Sequence, residues 1–145
     1  MTQAESEQLF GDEHVRRYRE TGGEVGHIWK NGATILLLTT TGRKSGESRT
    51  LALIYGADDT GTLAIVASKG GAPEHPAWYL NLLDDPEVEV QVKDDKFTAL
   101  ARTASNGERD RWWPIMTAQW PDYDAYQEKT DRQIPIVLLE RAVGS

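Results

Sequence analysis

Cysteine is absent from this chain, and long apolar runs and clustered histidines are absent as well. Without a thiol the protein has no disulfide, no thiolate nucleophile and no thiolate-bound zinc or iron–sulfur cluster, which suits a reducing cytosol. Apolar stretches such as Ile35 to Leu38 are far shorter than the roughly 20 residues of a membrane-spanning helix. Met1 to Glu5 lack the basic and apolar regions of a signal peptide. The three histidines do not show metal-ligand spacing. The sequence therefore predicts a soluble intracellular protein without a metal site.

Positive charge is also in deficit. The chain has 16 Lys and Arg against 23 Asp and Glu, which gives a formal net charge of -7 and a pI near 4.9. A general affinity for nucleic acid is excluded, because phosphate backbones are bound through a basic face that this composition does not supply. A few cations that converge with backbone N–H groups can still hold a small anion, since charges interact over a Debye length of about 10 Å. The composition thus favours an anionic cofactor over a polymer.

The length of 145 residues predicts one domain, with residues 1–10 as a flexible N-terminal tail. The first half of the chain reads as one helix followed by three strands that form an antiparallel meander. Asp12 is the expected N-cap of that helix, Gly22 ends it, and Asp58–Gly61 form a hairpin turn. The predicted elements are a helix at Glu13–Thr21 and strands at Ala33–Thr40, Thr50–Tyr55 and Thr62–Ala67.

The second half reads as a helix, a hairpin, two helices and a closing strand. Pro76 occupies the start of the first of these helices, and Asn106 caps the second. About six antiparallel strands with interspersed helices predict a small barrel in an α+β domain. The predicted elements are helices at Ala77–Leu83, Gly107–Gln119 and from Pro121, and strands at Glu87–Val92, Lys96–Thr103 and Ile134–Leu139.

Two basic, glycine-flanked clusters are the candidate binding site for an anionic ligand. Gly42-Arg43-Lys44-Ser45-Gly46, with Arg49 close behind, offers cations, a hydroxyl and backbone N–H groups suited to a phosphate or carboxylate. Ser68-Lys69-Gly70-Gly71-Ala72 follows an apolar strand, and its paired glycines allow a ligand to approach the backbone closely. Neither cluster has P-loop or dinucleotide-fold spacing. The alternative interpretations are a solvated hairpin turn for the first cluster and a tight strand-to-helix connector for the second.

Taken together these motifs resemble the deazaflavin (coenzyme F-420)-dependent nitroreductase and quinone reductase family. The resemblance is carried by Thr40–Gly46 with Arg49, by Ala67–Leu82, by the alternating strand after Pro86, and by Tyr126-Gln127-x-x-x-x-Arg132-x-Ile134-Pro135. It extends from Arg16 to Leu139. A flavin-reductase-like split β-barrel is the fold that it implies.

The resemblance also implies an activity: hydride transfer from reduced deazaflavin to a quinone-like or nitroaromatic acceptor. Carried over by position, the cofactor-binding residues are Arg43, Lys44, Ser45, Arg49, Ala67, Ser68, Lys69, Gly70, Gly71, Ala72 and Trp78, and the catalytic residues are Ser68, Tyr55, Tyr123 and Tyr126. A further transfer brings Arg16 and Arg17 to the oligoglutamate tail of the cofactor. The residue types of the two clusters agree with this activity, because the cofactor supplies the hydride and the protein has to supply only binding, orientation and electrostatics.

Two other functions stay open at this level. One is a non-catalytic carrier of F-420, FMN, haem or a fatty acid on the same fold, and the other is an FMN-dependent reductase with a nicotinamide donor. The expected partner is a small-molecule acceptor, without nucleic acid and without a transmembrane segment. The expected location is the cytoplasm or the inner face of the cell membrane. The sequence leaves peripheral membrane contact and the oligomeric state open.

Overall fold

The computed structural model describes residues 9–142, in which four α-helices surround an antiparallel sheet of seven strands. Residues 1–8 of the predicted tail lie outside the described residues, whereas Leu9 is buried and its carbonyl accepts a hydrogen bond from the indole of Trp29. The helices are α1 (Gly11–Thr21), α2 (Ala77–Asp84), α3 (Asn106–Gln119) and α4 (Asp122–Glu128). The strands are β1 (Ile35–Thr41), β2 (Ser48–Ile54), β3 (Gly56–Ala57), β4 (Leu63–Val66), β5 (Glu87–Val92), β6 (Asp95–Thr103) and β7 (Ile136–Arg141).

The sheet is rolled into a split barrel. Its strand order is β2-β1-β5-β6-β7-β4-β3, with every neighbouring pair antiparallel. The two edge strands, β2 and β3, are consecutive in the chain and are separated by Tyr55 alone. A sheet whose opposite edges are joined by one residue has to curl. The α+β split-barrel prediction is confirmed, with the two-residue β3 added to the six expected strands.

The predicted meander of the first three strands is wrong. Strand β4 pairs with β7 and β3 at the opposite edge of the sheet from β2. The predicted turn at Asp58–Gly61 does form, but it connects β3 to β4. The sequence analysis treated Tyr55 as the end of a strand that paired onward, whereas the chain crosses there from one edge of the sheet to the other.

Hydrogen bonds to Thr34 and contacts under α3 explain this crossing. The Tyr55 N–H donates to the Thr34 carbonyl at 3.0 Å, and the Thr34 hydroxyl donates back to the Tyr55 carbonyl at 3.0 Å. At Gly56 a Cβ atom would lie 2.8 Å from the Met116 sulfur and 3.1 Å from Ile115, so a larger residue would force these side chains to shift, and glycine lets β3 pass close to α3. The crossing therefore depends on contacts distant in sequence.

The apolar strands are buried on both faces, which explains their nearly continuous hydrophobic runs. In β1, Leu36 and Leu38 face the barrel interior, and Ile35 and Leu37 pack beneath α1. In β7, alternate residues face the interior and the α3–α4 layer in the same way. Helix α2 fills one end of the barrel with Trp78, Tyr79 and Leu82.

Helix boundaries agree with the predictions within two residues, but two caps differ. Gly22 ends α1 in the left-handed conformation, as predicted, whereas Phe10 rather than Asp12 occupies its N-cap. Ser105 rather than Asn106 caps α3, because Ser105 and Glu108 form a reciprocal capping box. None of the helices in the described part of the chain combines the length and apolar character that crossing a bilayer requires.

Histidine burial predicts acid sensitivity of the fold. His14 is buried, its Nε2 lies 2.8 Å from the Gly26 carbonyl, and burial lowers its pKa; burial also lowers the pKa of His27 and of His75. The unfolded chain, with a histidine pKa of about 6.5, then binds protons before the folded chain does, so the free energy of unfolding falls as pH drops below that value.

We therefore expect urea denaturation to show a lower free energy of unfolding at about pH 5 than at about pH 7.5. In His14→Gln, which cannot titrate at this site and can still donate to Gly26, the loss across the same interval should be smaller. An identical loss in the variant and the parent protein would contradict a role for His14.

Candidate active site

One cavity has a volume of about 480 Å³ and opens beside the rolled sheet. Its walls come from the start of α1, from β2, from the loop after β4 and from the corner between α3 and α4. Apolar and aromatic side chains dominate, and hydroxyls and one lysine are set among them. The lining residues include Phe10, Trp29, Leu51, Ser68, Lys69, Gly70, Trp78, Trp120, Tyr123 and Tyr126.

A second cavity of about 460 Å³ adjoins the first and holds the basic loop. Both cavities have Leu51 and Trp78 in their walls, so they meet at these two side chains. The predicted residues in the second cavity are Arg43, Lys44, Ser45, Arg49 and Trp78. The two basic clusters of the sequence therefore line these two neighbouring cavities, which together are called the groove, although the intervening strands separate the clusters in the chain.

The β1–β2 loop is a tight turn that is anchored to α2. The Gly42 N–H donates to the Glu47 carbonyl, and the Gly46 N–H donates to the Gly42 carbonyl, both at 2.8 Å. Asn81, buried on α2, accepts from the Arg43 backbone N–H at 3.2 Å and from its guanidinium at 3.0 Å. These bonds fix the loop against the helix that closes the barrel.

The cations of this loop differ in their partners. Arg43 is bonded to Asn81, and Arg49 lies 3.8 Å from the Glu47 carboxylate with its side chain 66% exposed. Within residues 9–142, no hydrogen bond or ion pair joins the Lys44 ammonium to another side chain or carbonyl. The Ser45 hydroxyl accepts from the Glu47 N–H at 3.1 Å, which gives it a role in shaping the turn. Lys44 and Arg49 are the cations most available to an anion.

The loop after β4 turns sharply beside the first cavity. Lys69, Gly70 and Gly71 all have positive φ, at 46°, 64° and 85°. A Cβ at Gly71 would lie 2.6 Å from the Tyr126 carbonyl oxygen, whereas a Cβ at Gly70 would meet no atom within 4 Å. Gly71 is therefore required for close packing against α4, and Gly70 leaves open space beside the cavity. The Lys69 ammonium pairs with Glu74 at 3.1 Å.

Three of the four predicted catalytic hydroxyls line the first cavity. They belong to Ser68, Tyr123 and Tyr126. The Tyr126 hydroxyl accepts from the Trp120 indole at 3.3 Å, which leaves its proton free to donate elsewhere. Burial raises the pKa of Tyr123, with Tyr126 adding to the shift, so its phenol is neutral at physiological pH. The cavity is therefore lined by hydroxyl-bearing side chains among apolar ones.

Tyr55, the fourth predicted catalytic residue, is not in the wall of this cavity. Its hydroxyl lies 2.8 Å from His27 Nε2, and burial raises the pKa of this phenol. Burial lowers the pKa of His27, and the charge of Lys93 lowers it further. The physical reason for the difference is the crossing described above, which turns Tyr55 toward the segment after α1.

Other predicted residues stand behind the loop or away from the groove. Ala67, Gly71 and Ala72 do not line either cavity, and Ala67 and Gly71 are buried. Arg16 pairs with Glu13 and Glu20 on the surface of α1. The walls of the two cavities do not include Arg16, Arg17, Ala67, Gly71, Ala72 or Tyr55.

Other residues at the site or in contact with its loops were not predicted from the sequence. Trp29 and Trp120 stack at 5.6 Å with an interplanar angle of 19°, and both line the first cavity. Arg132 donates to several carbonyls of the loop after β4. Asn81 could have been noticed as a polar residue on the apolar face of α2, and Arg132 lies within the motif that carries the family resemblance. Nothing local in the sequence marks the Trp29–Trp120 stack.

Sequence comparisons identify the relatives of this chain. The family model described as F-420H(2)-dependent quinone reductase matches residues 11–141. An F-420H(2)-dependent quinone reductase of Mycobacterium tuberculosis strain H37Rv is 40% identical over 131 residues, which cover 88% of this chain and 87% of the relative. A second, putative F-420H(2)-dependent quinone reductase of the same strain is 38% identical, and the match covers 79% of this chain and 96% of that relative.

Solved structures agree with these relatives. One titled as an F-420H(2)-dependent reductase is 44% identical with a TM-score of 0.67, and the match covers 73% of this chain and 93% of that one. Another, whose title describes a domain-swapped dimer, is 40% identical with a TM-score of 0.68, and the match covers 87% of this chain and 96% of that one. A third match is the haem storage protein HutZ of Vibrio cholerae, with 13% identity and a TM-score of 0.54. The match covers 92% of this chain and 91% of HutZ, and it shows a shared fold alone.

The family model spans nearly all of the described chain, and the sequence relatives match at about 40% identity over most of their own length. The resemblance noted in the sequence is thereby confirmed, with coenzyme F-420 as the cofactor of the family and quinone reduction as its activity. The chain belongs to the F-420H(2)-dependent quinone reductase family.

Proposed function

We propose that this enzyme binds reduced F-420 along the groove formed by the two cavities and reduces a quinone in the aromatic cavity. The single observation that carries the proposal is that the two cavities share Leu51 and Trp78 in their walls, with cations lining one cavity and hydroxyl-bearing side chains lining the other. When bound, reduced F-420 supplies a hydride. The remaining requirements, which are binding, orientation and a proton, fall to the residues of this chain.

The basic end suits the anionic part of the cofactor. F-420 carries a phosphate and an acidic glutamate tail, and the donors at this end are Lys44, Arg49 and the Arg43 guanidinium beside Asn81. Guanidinium and ammonium groups form charge-assisted hydrogen bonds with such oxygens. In a chain with a net charge of -7, these cations make the groove locally attractive to an anion that the rest of the surface repels.

The other end suits a planar ring. Gly70 leaves open space where a side chain would otherwise project, and Ser68 and Lys69 flank it in the cavity wall. Trp78 stands where the two cavities meet and would contact the ring near its junction with the tail. Residues of the loop that lie outside the wall, Ala67, Gly71 and Ala72, would support the ring site through the backbone.

The acceptor would lie on the side of the aromatic residues. As a quinone accepts a hydride, one carbonyl oxygen gains negative charge and takes up a proton, and the product is a hydroquinone. Hydroxyl donors within about 3 Å of that oxygen stabilise the developing charge in an apolar site. Tyr126 suits this role because its oxygen accepts from Trp120 and its own proton is left to donate, and Tyr123 and Ser68 also line this cavity.

The tail assignment predicts a loss of cofactor affinity in Lys44→Ala and in Arg49→Ala. Each variant should weaken F-420 binding by about 1–3 kcal/mol, the range for a hydrogen bond to a charged group, and wild-type affinity should fall with added salt. Fluorescence titration of F-420 measures both effects. Lys96→Ala, which removes a lysine outside the groove, is the control. Wild-type affinity in both loop variants would contradict the assignment.

The proton-donor assignment predicts a different signature for Tyr126→Phe. Turnover with menadione as acceptor should fall by about 10- to 100-fold, because a hydrogen bond to the developing oxyanion is lost, while F-420 affinity stays near the wild-type value. Stopped-flow measurement of F-420H(2) oxidation gives both quantities. Tyr79→Phe is the matched control, since that hydroxyl bonds to Thr103 away from the cavity. Equal turnover in the two variants would remove Tyr126 from this role.

A further inference from the structure

Arg132 donates hydrogen bonds to the backbone of the Ala67–Ala72 loop, which follows β4 and is called the cofactor loop. Its Nε donates to the Ala72 carbonyl at 2.9 Å, one terminal nitrogen donates to the Ala67 carbonyl at 3.2 Å, and the other donates to the Ser68 carbonyl at 2.8 Å. These three acceptors span both ends of the segment that turns beside the first cavity. Arg132 itself does not line either cavity, so any effect it has on a ligand passes through this loop.

The same guanidinium has a fourth partner. A terminal nitrogen of Arg132 lies 3.1 Å from Nδ1 of His75. Because a guanidinium only donates, Nδ1 of His75 is the acceptor and this imidazole is neutral. His75 does not cap α2, because Pro76 occupies the N-cap of that helix and no side chain caps it. His75 instead completes the set of acceptors around Arg132.

The loop needs an external support of this kind. Three consecutive residues, from Lys69 to Gly71, have positive φ, a region that a lysine rarely adopts. The internal bonds are few: the Gly71 N–H donates to the Ser68 carbonyl at 2.9 Å, and the Ala72 N–H donates to the Lys69 carbonyl at 3.1 Å. Charge-assisted bonds from Arg132 to carbonyls at both ends of the turn hold it in this conformation.

Arg132 is in turn held in place by Gln127. The Gln127 amide donates to the Arg132 carbonyl at 2.8 Å, and its oxygen accepts from the Ile134 N–H and from Arg109, each at 2.8 Å. The Thr130 hydroxyl accepts from the Arg132 N–H at 3.3 Å. The backbone of Arg132 is thus fixed by the end of α4, and its side chain transmits that position to the cofactor loop.

We infer that Arg132 is a positioning residue for the reductase: it fixes the Ala67–Ala72 loop so that Ser68, Lys69 and Gly70 present a preformed surface to the cofactor ring. The inference rests on the proposed function, because it concerns the site assigned there. It requires the geometry of the guanidinium and not its charge alone. A lysine at this position would keep the charge. Its single nitrogen cannot reach all three carbonyls, which the planar guanidinium contacts through three different nitrogens.

Hydrogen–deuterium exchange of the cofactor-free protein tests this directly. In Arg132→Lys we expect amide exchange to accelerate about tenfold or more within residues 67–72, through local opening, while the barrel strands exchange at wild-type rates. Arg102→Lys, the same substitution at an arginine that pairs with Glu108 and Glu140 outside the cavities, is the control and should leave this segment unchanged. Wild-type exchange in residues 67–72 of a folded Arg132→Lys would overturn the inference.

Cofactor titration provides the second readout. Arg132→Lys and Arg132→Gln should each raise the F-420 Kd by about tenfold or more while the melting temperature remains close to that of Arg102→Lys. In Arg132→Ala, added guanidinium should restore part of the affinity, and ethylammonium should not. If Arg132→Lys fails to fold, Arg132→Gln carries the same comparison, since its amide still reaches a carbonyl.

The outcomes separate this inference from the proposed function. If the wild-type protein neither binds F-420 nor oxidises its reduced form with menadione, the proposed function fails. If the wild-type protein does both and the folded Arg132 variants bind F-420 within about twofold of it, the positioning role fails alone. A uniform rise in exchange across the whole chain would assign Arg132 to global stability and would also overturn the inference.

Discussion

The rolled sheet is the constraint on which the site depends. Because β2 and β3 lie at opposite edges and Tyr55 alone separates them, the chain can continue from one edge to the other only if the sheet curls. In the curled sheet, the β1–β2 loop and the loop after β4 line two cavities that share Leu51 and Trp78 in their walls.

In the proposed site, electrostatics and packing give the two cavities different roles. The acidic surface of the protein opposes anions in general, so the few cations of the β1–β2 loop acquire selectivity from their position rather than from their number. At the other end, apolar walls surround the side chains of Ser68, Tyr123 and Tyr126, and a hydrogen bond is stronger in such surroundings than in water. Such an arrangement suits a reaction in which the cofactor brings the reducing equivalents and the protein supplies position and a proton.

Much of the fold could be predicted from the sequence, because its signals are local. The alternating pattern of Glu87–Val92 and the glycine at position 22 gave the correct elements, with boundaries within two residues. The pairing of strands could not be predicted in the same way. Besides β3, strand β4 pairs with β7, about seventy residues later in the chain, and no local feature distinguishes that pairing from the expected meander. The crossing of the chain at Tyr55 follows from the same long-range pairing of β4 with β7.

The candidate site shows the same division. The two basic loops were recognisable because glycine and cations cluster in sequence, and residues of both line the groove. Supporting residues such as Asn81 and Arg132 act across 38 and 60 positions of the chain, so their partners appear only in three dimensions. The family resemblance supplied what spacing alone could not, namely the cofactor and the reaction class.

A titration of the isotope-labelled protein with F-420, followed by backbone amide chemical shifts, tests the central claim most directly. The account predicts that the amides of residues 43–49 and those of residues 68–72 shift together, with one dissociation constant, because a single molecule occupies the whole groove. Shifts confined to one loop, or two loops that titrate with different constants, would contradict it.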